Sequence, residues 1–397
     1  MAEAGQAGEV VEDLSITYGI SDSELPEHQG VVRIGDIRRG RVVTDQPGRR
    51  GAAHPKDSRA VLQEGDLAVV LVRRVGDAAL ITAEHHGWIA TRGIGIIRAK
   101  NPAIARWLRI WLQTPSAQAW IDQHVTAHVE PTLSLHALRR MPVSIPPPNQ
   151  IEMVHELVGV FEAKAELNLS IATSAVELAD AYHATWARNA ASWAKHQFAA
   201  VTDARTGTGK SVVDVGGVRP ARITPAEILG ASLPYVDAID GQDLAAHPDA
   251  CDPGTILVAS RPGGARVVVT RAPALPGRGV LAVRPAEPSD LWWLLHELRS
   301  RCGELPQAAQ GGSAREITRR AFLRLDVTWP GWHVREQFHR VAEPLHSRAQ
   351  MALDENRTLN ELLGHLLREI SSRSRTLFQT GGPDFPRDDH ERAAETR

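Results

Sequence analysis

The feature that most constrains this chain is that it is written twice. The first copy runs GDLAVVLVRRVGDAALIT (65–82), GWIATRGIGIIRA (87–99), ARWLRIWLQ (105–113) and TLSLHALRRMPVSIPPP (132–148), then a long helix from Gln150. The second runs GTILVASRPGGARVVVT (254–270), GRGVLAVRPA (277–286), LWWLLHELRS (291–300) and REITRRAFLRLDVTWP (315–330), then another long helix. Both keep one order: strand, Arg-Gly turn, strand, short strand, helices, a strand ending at proline, long helix. Internal repetition of this kind outranks any single motif in deciding architecture. The fold class it implies is α+β: two tandem mixed α/β globules, each followed by a long helix.

Local patterns fill in each copy. The runs AVVLV and ALIT flank a turn at Arg73-Arg74-Val75-Gly76, and ILVAS and VVVT flank Arg261-Pro262-Gly263-Gly264. Apolar runs broken by Gly and Pro are hairpin signals. Trp107, Trp111, Trp292 and Trp293 on the following helices read as core anchors. From Ile151 the apolar positions step by three and four: Ile151, Val154, Val158, Phe161, Ala165, Asn168, Ala172, Ala175, Ala179, Tyr182, Trp186. The second helix shows Phe338, Val341, Leu345, Ala349, Ala352, Asn356, Leu359, Leu363, Leu366 and Ile370, with one stutter. Such narrow seams pack helix on helix, and an Asn in each fixes register. The two helices are expected to pair as an antiparallel coiled coil.

Charge is distributed unevenly. The net is −2, yet residues 1–30 hold seven acids and no Lys or Arg, while 31–148 hold 17 Lys+Arg against 9 Asp+Glu. Residues 149–185 hold six acids against Lys164 alone. A basic binding surface on an acidic scaffold produces this asymmetry. No apolar run approaches the roughly 20 residues of a membrane span. The N-terminus has no signal-peptide pattern, and Cys251 and Cys302 form neither a metal motif nor a disulfide framework. A cytoplasmic protein without membrane contact is expected, and the few lysines among many arginines hint at a bacterial, GC-rich source.

The ladder Leu138, Arg139, Arg140, Val143-Ser144-Ile145, Pro146-Pro147-Pro148, Gln150, Ile151 resembles the junction of recognition domain and spacer helix in specificity subunits of type I restriction–modification systems. Glu355, Asn356 and Leu359 resemble that family's second spacer, and VVRIGDIRRGRV (31–42) its first domain. The likeness extends over about 31–377. Two departures stand out: residues 200–330 carry 15 Lys+Arg against 14 Asp+Glu, and WPGWHVREQ replaces the usual proline pair and glutamine. The resemblance implies an acidic, disordered extension over 1–30, a first target-recognition domain over 31–148 and a spacer helix over 149–198. A second recognition domain over 199–330, a spacer over 331–377 and a disordered tail over 378–397 follow.

It also implies a function. Members of the family are non-catalytic subunits of phage-defence complexes. They read a bipartite, asymmetric target in double-stranded DNA, need no cofactor or metal, and recruit two adenine methyltransferase subunits and, in some systems, a restriction/translocase subunit. Arginine suits bidentate contacts to guanine and phosphate. The candidates for DNA binding are Arg38, Arg39, Arg41, Arg49, Arg50, Arg73, Arg74 and Arg92 in the first half. Arg261, Arg266, Arg278, Arg315 and Arg319 are those of the second. The seam residues that carry the coiled coil are Val154, Val158, Phe161, Asn168, Leu345, Asn356, Leu359 and Leu363. Arg139 and Arg140 are expected to be structural.

Two other function classes remain open. One is a coiled-coil adaptor of a defence complex that never reads DNA. The other is a nucleoside triphosphatase, because ARTGTGKS (204–211) approximates a phosphate-binding loop ending in Lys210 and Ser211. That loop needs a buried strand before it and a helix start after it. The preceding residues read as helical and the following VVDVGGVRPARITP is broken by Gly and Pro, so the loop is expected to be a hinge. No methyltransferase motif competes: Asn101-Pro102-Ala103-Ile104 lacks the second proline and the aromatic.

Overall fold

The computed structural model describes residues 3–6, 14–21, 30–44, 59–126, 130–208, 221–237, 244, 247–261, 264–308 and 316–381, with only the backbone of 3–6 and 373–381. They fall into two compact units, 1–165 with 357–397, and 166–356. No described helix is long and apolar enough to cross a membrane.

The first unit contains β1 (Glu3–Gln6), β2 (Leu14–Tyr18), β3 (Val31–Val32), β4 (Ile37–Arg38), β5 (Arg41–Val42), β6 (Leu67–Val70), β7 (Ala78–Leu80), β8 (Ile89–Ala90) and β9 (Ile94–Ala99). Helices α1 (Pro102–Trp111), α2 (Pro115–His124) and α3 (Leu135–Arg140), strand β10 (Pro142–Ile145) and the start of α4 (Pro148–Ala187) complete its first segment. Its main sheet has the antiparallel order β2-β9-β6-β7. Alternate residues of a strand face opposite sides, and here both sides are apolar. Leu67, Val69 and Ile97 join Trp107 and Trp111 in one cluster, while Ala68, Val70 and Ile96 join Trp88 and Ile37 in another. The tryptophans are core anchors whose ring N–H groups find partners: Trp107 donates to the Ser144 carbonyl at 2.8 Å and Trp111 to that of Pro142 at 3.1 Å. The Asn101 side chain caps α1 and Pro102 opens it, as helix starts favour.

The second unit contains the end of α4, then β11 (Ala194–Gln197), α5 (Phe198–Val201), β12 (Thr202–Thr206), α6 (Pro225–Gly230), β13 (Tyr235–Val236), β14 (Ile256–Arg261), β15 (Gly264–Thr270) and β16 (Val280–Pro285). Helices α7 (Leu291–Ser300) and α8 (Arg319–Leu323), strand β17 (Asp326–Trp329) and the start of α9 (Trp332–Gly381) follow. Its sheet order is β12-β16-β14-β15-β13, with β13 parallel to β15 and the rest antiparallel. Strand for strand, β12-β16-β14-β15 repeats β2-β9-β6-β7. The two-stranded ribbon β11–β17 ahead of α9 likewise repeats β1–β10 ahead of α4.

These ribbons correct two expectations. The stretch 1–30, expected to be a disordered extension, contributes β1 and the sheet-edge strand β2, whose Ile16 is buried in the core. Its net acidity concealed LSITY as a strand. The first spacer helix, expected to reach 198, ends at Ala187; Ala194–Gln197 pairs with Asp326–Trp329 instead. The tail beyond Gly381 lies outside the described residues.

The long helices pair antiparallel within the second unit. Asn168 lies against Asn356 at 3.0 Å and Trp186 against Phe338 with ring centroids 5.5 Å apart, so 18 residues forward on α4 match 18 backward on α9. Asn168 also donates to Glu355 at 3.0 Å. Ala172, Ala175, Ala349 and Ala352 fill the seam between these points. Small side chains there let the helix axes approach closely. Tyr182, expected in the seam, is exposed, and the next residue, His183, is buried in its stead. In the first unit Val158 and Leu367 are buried, with Val154, Leu363, Leu366 and Ile370 packed around them. Phe161, Leu345 and Leu359 are half-buried.

Candidate nucleic-acid interface

The hairpin turns expected to carry DNA-binding arginines hold them in unequal states. In the first unit Arg73 sits in the left-handed region, φ 67°, and pairs with Glu130 at 2.7 Å. Arg74 donates to the carbonyls of Ile34 at 2.6 Å and Ile37 at 2.8 Å and pairs with Asp77 at 3.1 Å. It is a clamp between the β6–β7 turn and the short 3-10 helix Ile34–Asp36 with the residue after it. Arg38 donates to the Gly35 carbonyl at 2.7 Å. Arg38, Arg39, Arg41 and Arg92 are exposed. Arg49 and Arg50 lie outside the described residues.

The second unit repeats the pattern. Arg261 at the end of β14 pairs with Glu316 at 3.4 Å. Arg319 donates through Nε to the Ala204 carbonyl and stands 3.9 Å from Asp203, which ties α8 to the sheet edge. Arg266 and Arg278 are exposed, and Arg315 lies outside the described residues. Arg139, expected to be structural, donates to the Ile16 carbonyl at 2.7 Å and so fastens α3 to β2.

The stretch ARTGTGKS finds a structural account. Ala204, Arg205 and Thr206 are not in a loop, and the residues before them are not helical throughout as expected. Strand β12 pairs them with Val283, Ala282 and Leu281 at the sheet edge. A phosphate loop needs consecutive backbone N–H groups converging on an anion, whereas those of an edge strand alternate between its partner and the outside. Gly207 follows the strand and donates to the Val280 carbonyl, as Gly19 after β2 donates to that of Ile94. A Cβ at Gly207 would lie 2.2 Å from the Gly277 carbonyl oxygen, and at Gly19 2.2 Å from that of Thr91. Both glycines are there because two backbones cross, not to cradle phosphate. Lys210 and Ser211 lie outside the described residues.

Sequence reasoning missed the polar links between globule and long helix. In the first unit Arg109 of α1, nearly fully buried, pairs with Glu162 of α4 at 2.6 Å, and Arg106 with Glu152 at 3.0 Å. In the second, a chain of buried groups does this work. Asp180 of α4 contacts His296 Nδ1 at 2.6 Å, His296 Nε2 contacts His346 Nε2 at 2.9 Å, and His346 Nδ1 contacts the Tyr235 hydroxyl at 2.7 Å. Arg299 closes on Asp180 at 2.6 Å and Trp292 stacks on His346 at 3.7 Å. Every bond is satisfied when both histidines are neutral: His296 donates to Asp180, His346 to His296, and Tyr235 to His346. Burial lowers the pKa of His296 and His346 and, at about 4, that of His183. Burial alone would raise Asp180, but bonds from His296 and Arg299 outweigh it and hold it below the carboxylate range. Asp180 and His346 are separated in sequence by most of the second unit, so no local spacing announces the chain. Among the described residues no group of His, Cys, Asp or Glu is arranged to hold a metal ion.

No family model and no curated protein matches the sequence. Solved structures do match the fold. The S subunit of a type I restriction–modification system from M. genitalium aligns with a TM-score of 0.53 at 13% identity, covering 93% of this chain and 96% of that one. The HsdS subunit of Thermoanaerobacter tengcongensis aligns over 94% and 96% at 17% identity, with a TM-score of 0.33 that is too low to bear on the fold. The doubled globule-and-helix plan, with its antiparallel helix seam, is therefore the fold of a type I restriction–modification S subunit.

Proposed function

We propose that the chain is a DNA-recognition subunit that reads a bipartite, asymmetric target and brings an adenine methyltransferase, with or without a restriction subunit, to it. The observation that carries this reading is the fold shared with an S subunit over nearly the whole of both chains. Two sheets of the same strand order on two dissimilar sequences supply two readers of two different half-sites. In this reading the long helices act as the spacer that a bipartite target requires, as dimer geometry does for other DNA-binding proteins. A partner surface has support on α4, where Met153, Leu157, Val160, Leu167, Leu178 and Tyr182 are exposed. In sequence they fall at steps of three and four or their sums, a second row beside the buried one, suited to further helices.

The test is methylome sequencing of the host with and without the gene. Deletion should abolish adenine methylation at one bipartite, asymmetric motif. If every methylated motif persists, the reading is wrong. The adaptor reading has one observation in its favour: Arg73, Arg74, Arg261 and Arg319 are engaged within the protein. An adaptor would show no salt-dependent affinity for duplex DNA, whereas a reader loses affinity steeply as salt rises.

A further inference from the structure

At equivalent places in the two copies the candidate arginines are of two kinds. The hairpin-turn arginines occupy equivalent places and are both engaged: Arg73 with Glu130, Arg261 with Glu316. Both acids lie on the segment that leads into the last short helix of their unit, α3 or α8. A second equivalent pair behaves differently. Arg92 precedes Gly93 and strand β9, and Arg278 precedes Gly279 and strand β16, the matching central strand of the other sheet. Both arginines are exposed. Among the described residues neither meets a carboxylate in an ion pair, unlike Arg73, Arg74 and Arg261 at the hairpin turns.

The backbone under each is fixed. Gly93 has φ +99° and Gly279 φ +82°, values that side chains rarely adopt. A Cβ would also lie 2.8 Å from Ile34 Cδ1 at Gly93 and 2.6 Å from Glu316 Oε1 at Gly279. The crossings at Gly19 and Gly207 hold the same turns from the other side, through Ala90–Thr91 and Pro276–Gly277. Among the described residues each turn thus presents one guanidinium without an ion pair, on a fixed backbone beside the sheet edge. In the first unit a groove of about 510 Å³ lined by Tyr18, Leu71, Thr132 and Arg92 lies beside it. A planar five-donor fork carried on a fixed backbone suits bidentate reading of a guanine edge. A phosphate contact has no such requirement, since lysine serves as well.

We infer that Arg92 and Arg278 are equivalent base-reading residues, one for each half-site, each directed at guanine. The inference rests on the DNA-recognition reading above. It is tested with the full chain, alone and with its methyltransferase partner, on a pool of duplexes randomised over 30 base pairs, followed by affinity measurements on single-base variants of the selected sequence. Arg92→Lys should lose roughly 5- to 150-fold of discrimination at guanine positions of one half-site only. Arg278→Lys should do so in the other half-site only. Both should keep the wild-type salt slope, because the charge is kept. Thermal melting checks that the variants remain folded. Lysine variants that select the wild-type sequence, or a single variant that relaxes both half-sites, overturn the inference while leaving DNA recognition intact. A wild-type chain that selects no sequence overturns the DNA-recognition reading itself, and this inference with it.

Discussion

The two units share a strand order and differ in what bonds the globule to its long helix. In the first, arginine and glutamate do it: Arg109 with Glu162, Arg106 with Glu152. In the second, two buried histidines do it, between Asp180 and Tyr235. Topology therefore fixes where helix α1 or α7 meets the coil, while the chemistry of the contact is free to vary. The consequence is thermodynamic. Histidines held neutral by burial lose folding stability in mildly acid solution, because the unfolded chain takes up protons there that the folded chain does not.

The largest expected effect is acid lability greater in the second unit, where three buried histidines are lowered against His155 alone in the first. His183, His296 and His346 have folded pKa values below the ordinary histidine value. The unfolded chain then binds more protons as pH falls below about 6.5, and stability falls with it. For His183, buried and held at about 4, the loss between pH 6.5 and 4 is about 3 kcal/mol. His296 and His346 add to it, because burial lowers both in the folded state and disfavours their charged forms. Hydrogen exchange at pH 7 and pH 5 should show residues 166–356 opening first. Equal opening of both units would remove the distinction. The Asp180 contribution, with its pKa depressed, persists through this window and is lost only in stronger acid.

Next in size is the buried pair of the first unit. Arg109→Ala leaves Glu162 half-desolvated and should cost about 3 kcal/mol. The double change Arg109→Met with Glu162→Leu should recover most of that, since two apolar side chains need no partners. Denaturant melts followed by exchange should localise the loss to the first unit. A loss in the second unit, or none, would mean that the pair does not anchor α1 to α4.

How much of this was legible follows the range of the interactions. The heptad seams could be read because a helix brings residues three and four apart onto one face, and Asn168 and Asn356 do meet. The hairpins were legible for the same local reason. Strand β2 was not, because Leu14 pairs with Ala99 and its neighbours are acidic. Ribbon β1–β10 joins residues near opposite ends of the first segment. The arginines were legible as residues but not as states: Glu130 is 57 positions from Arg73, and nothing local pairs them. Gly207 was visible only as part of a false phosphate loop; its reason is a carbonyl at Gly277.

That reason gives a smaller prediction, which sharpens the equivalence of the units. Gly19→Ala and Gly207→Ala each drive a Cβ into a backbone carbonyl at 2.2 Å. Backbone cannot rotate away, so each should cost about 1–3 kcal/mol, and by similar amounts. Parallel losses in the two units, seen by thermal melting, fit one shared crossing. If one variant is neutral, the copies are not equivalent there.

The smallest effect concerns the turn arginines. Arg73 and Glu130 are both largely exposed, with side chains 74% and 54% accessible, while Arg261 and Glu316 are less so, at 39% and 33%. Exposed ion pairs contribute from nothing to about 1 kcal/mol and weaken as salt screens them. Arg73→Ala should therefore leave the melting temperature almost unchanged, and in 1 M salt entirely so. Arg261→Ala should cost somewhat more, because Glu316 also lies against the Gly279 turn and loses its only strong constraint among the described ion pairs. Affinity for DNA is a separate readout of the same variants. A turn arginine that exchanges its glutamate for a phosphate on binding lowers the salt slope by about one when removed. A turn arginine that keeps its glutamate leaves the slope alone. The first outcome makes the acid a placeholder for DNA; the second makes the pair purely structural and leaves Arg92 and Arg278 as the readers.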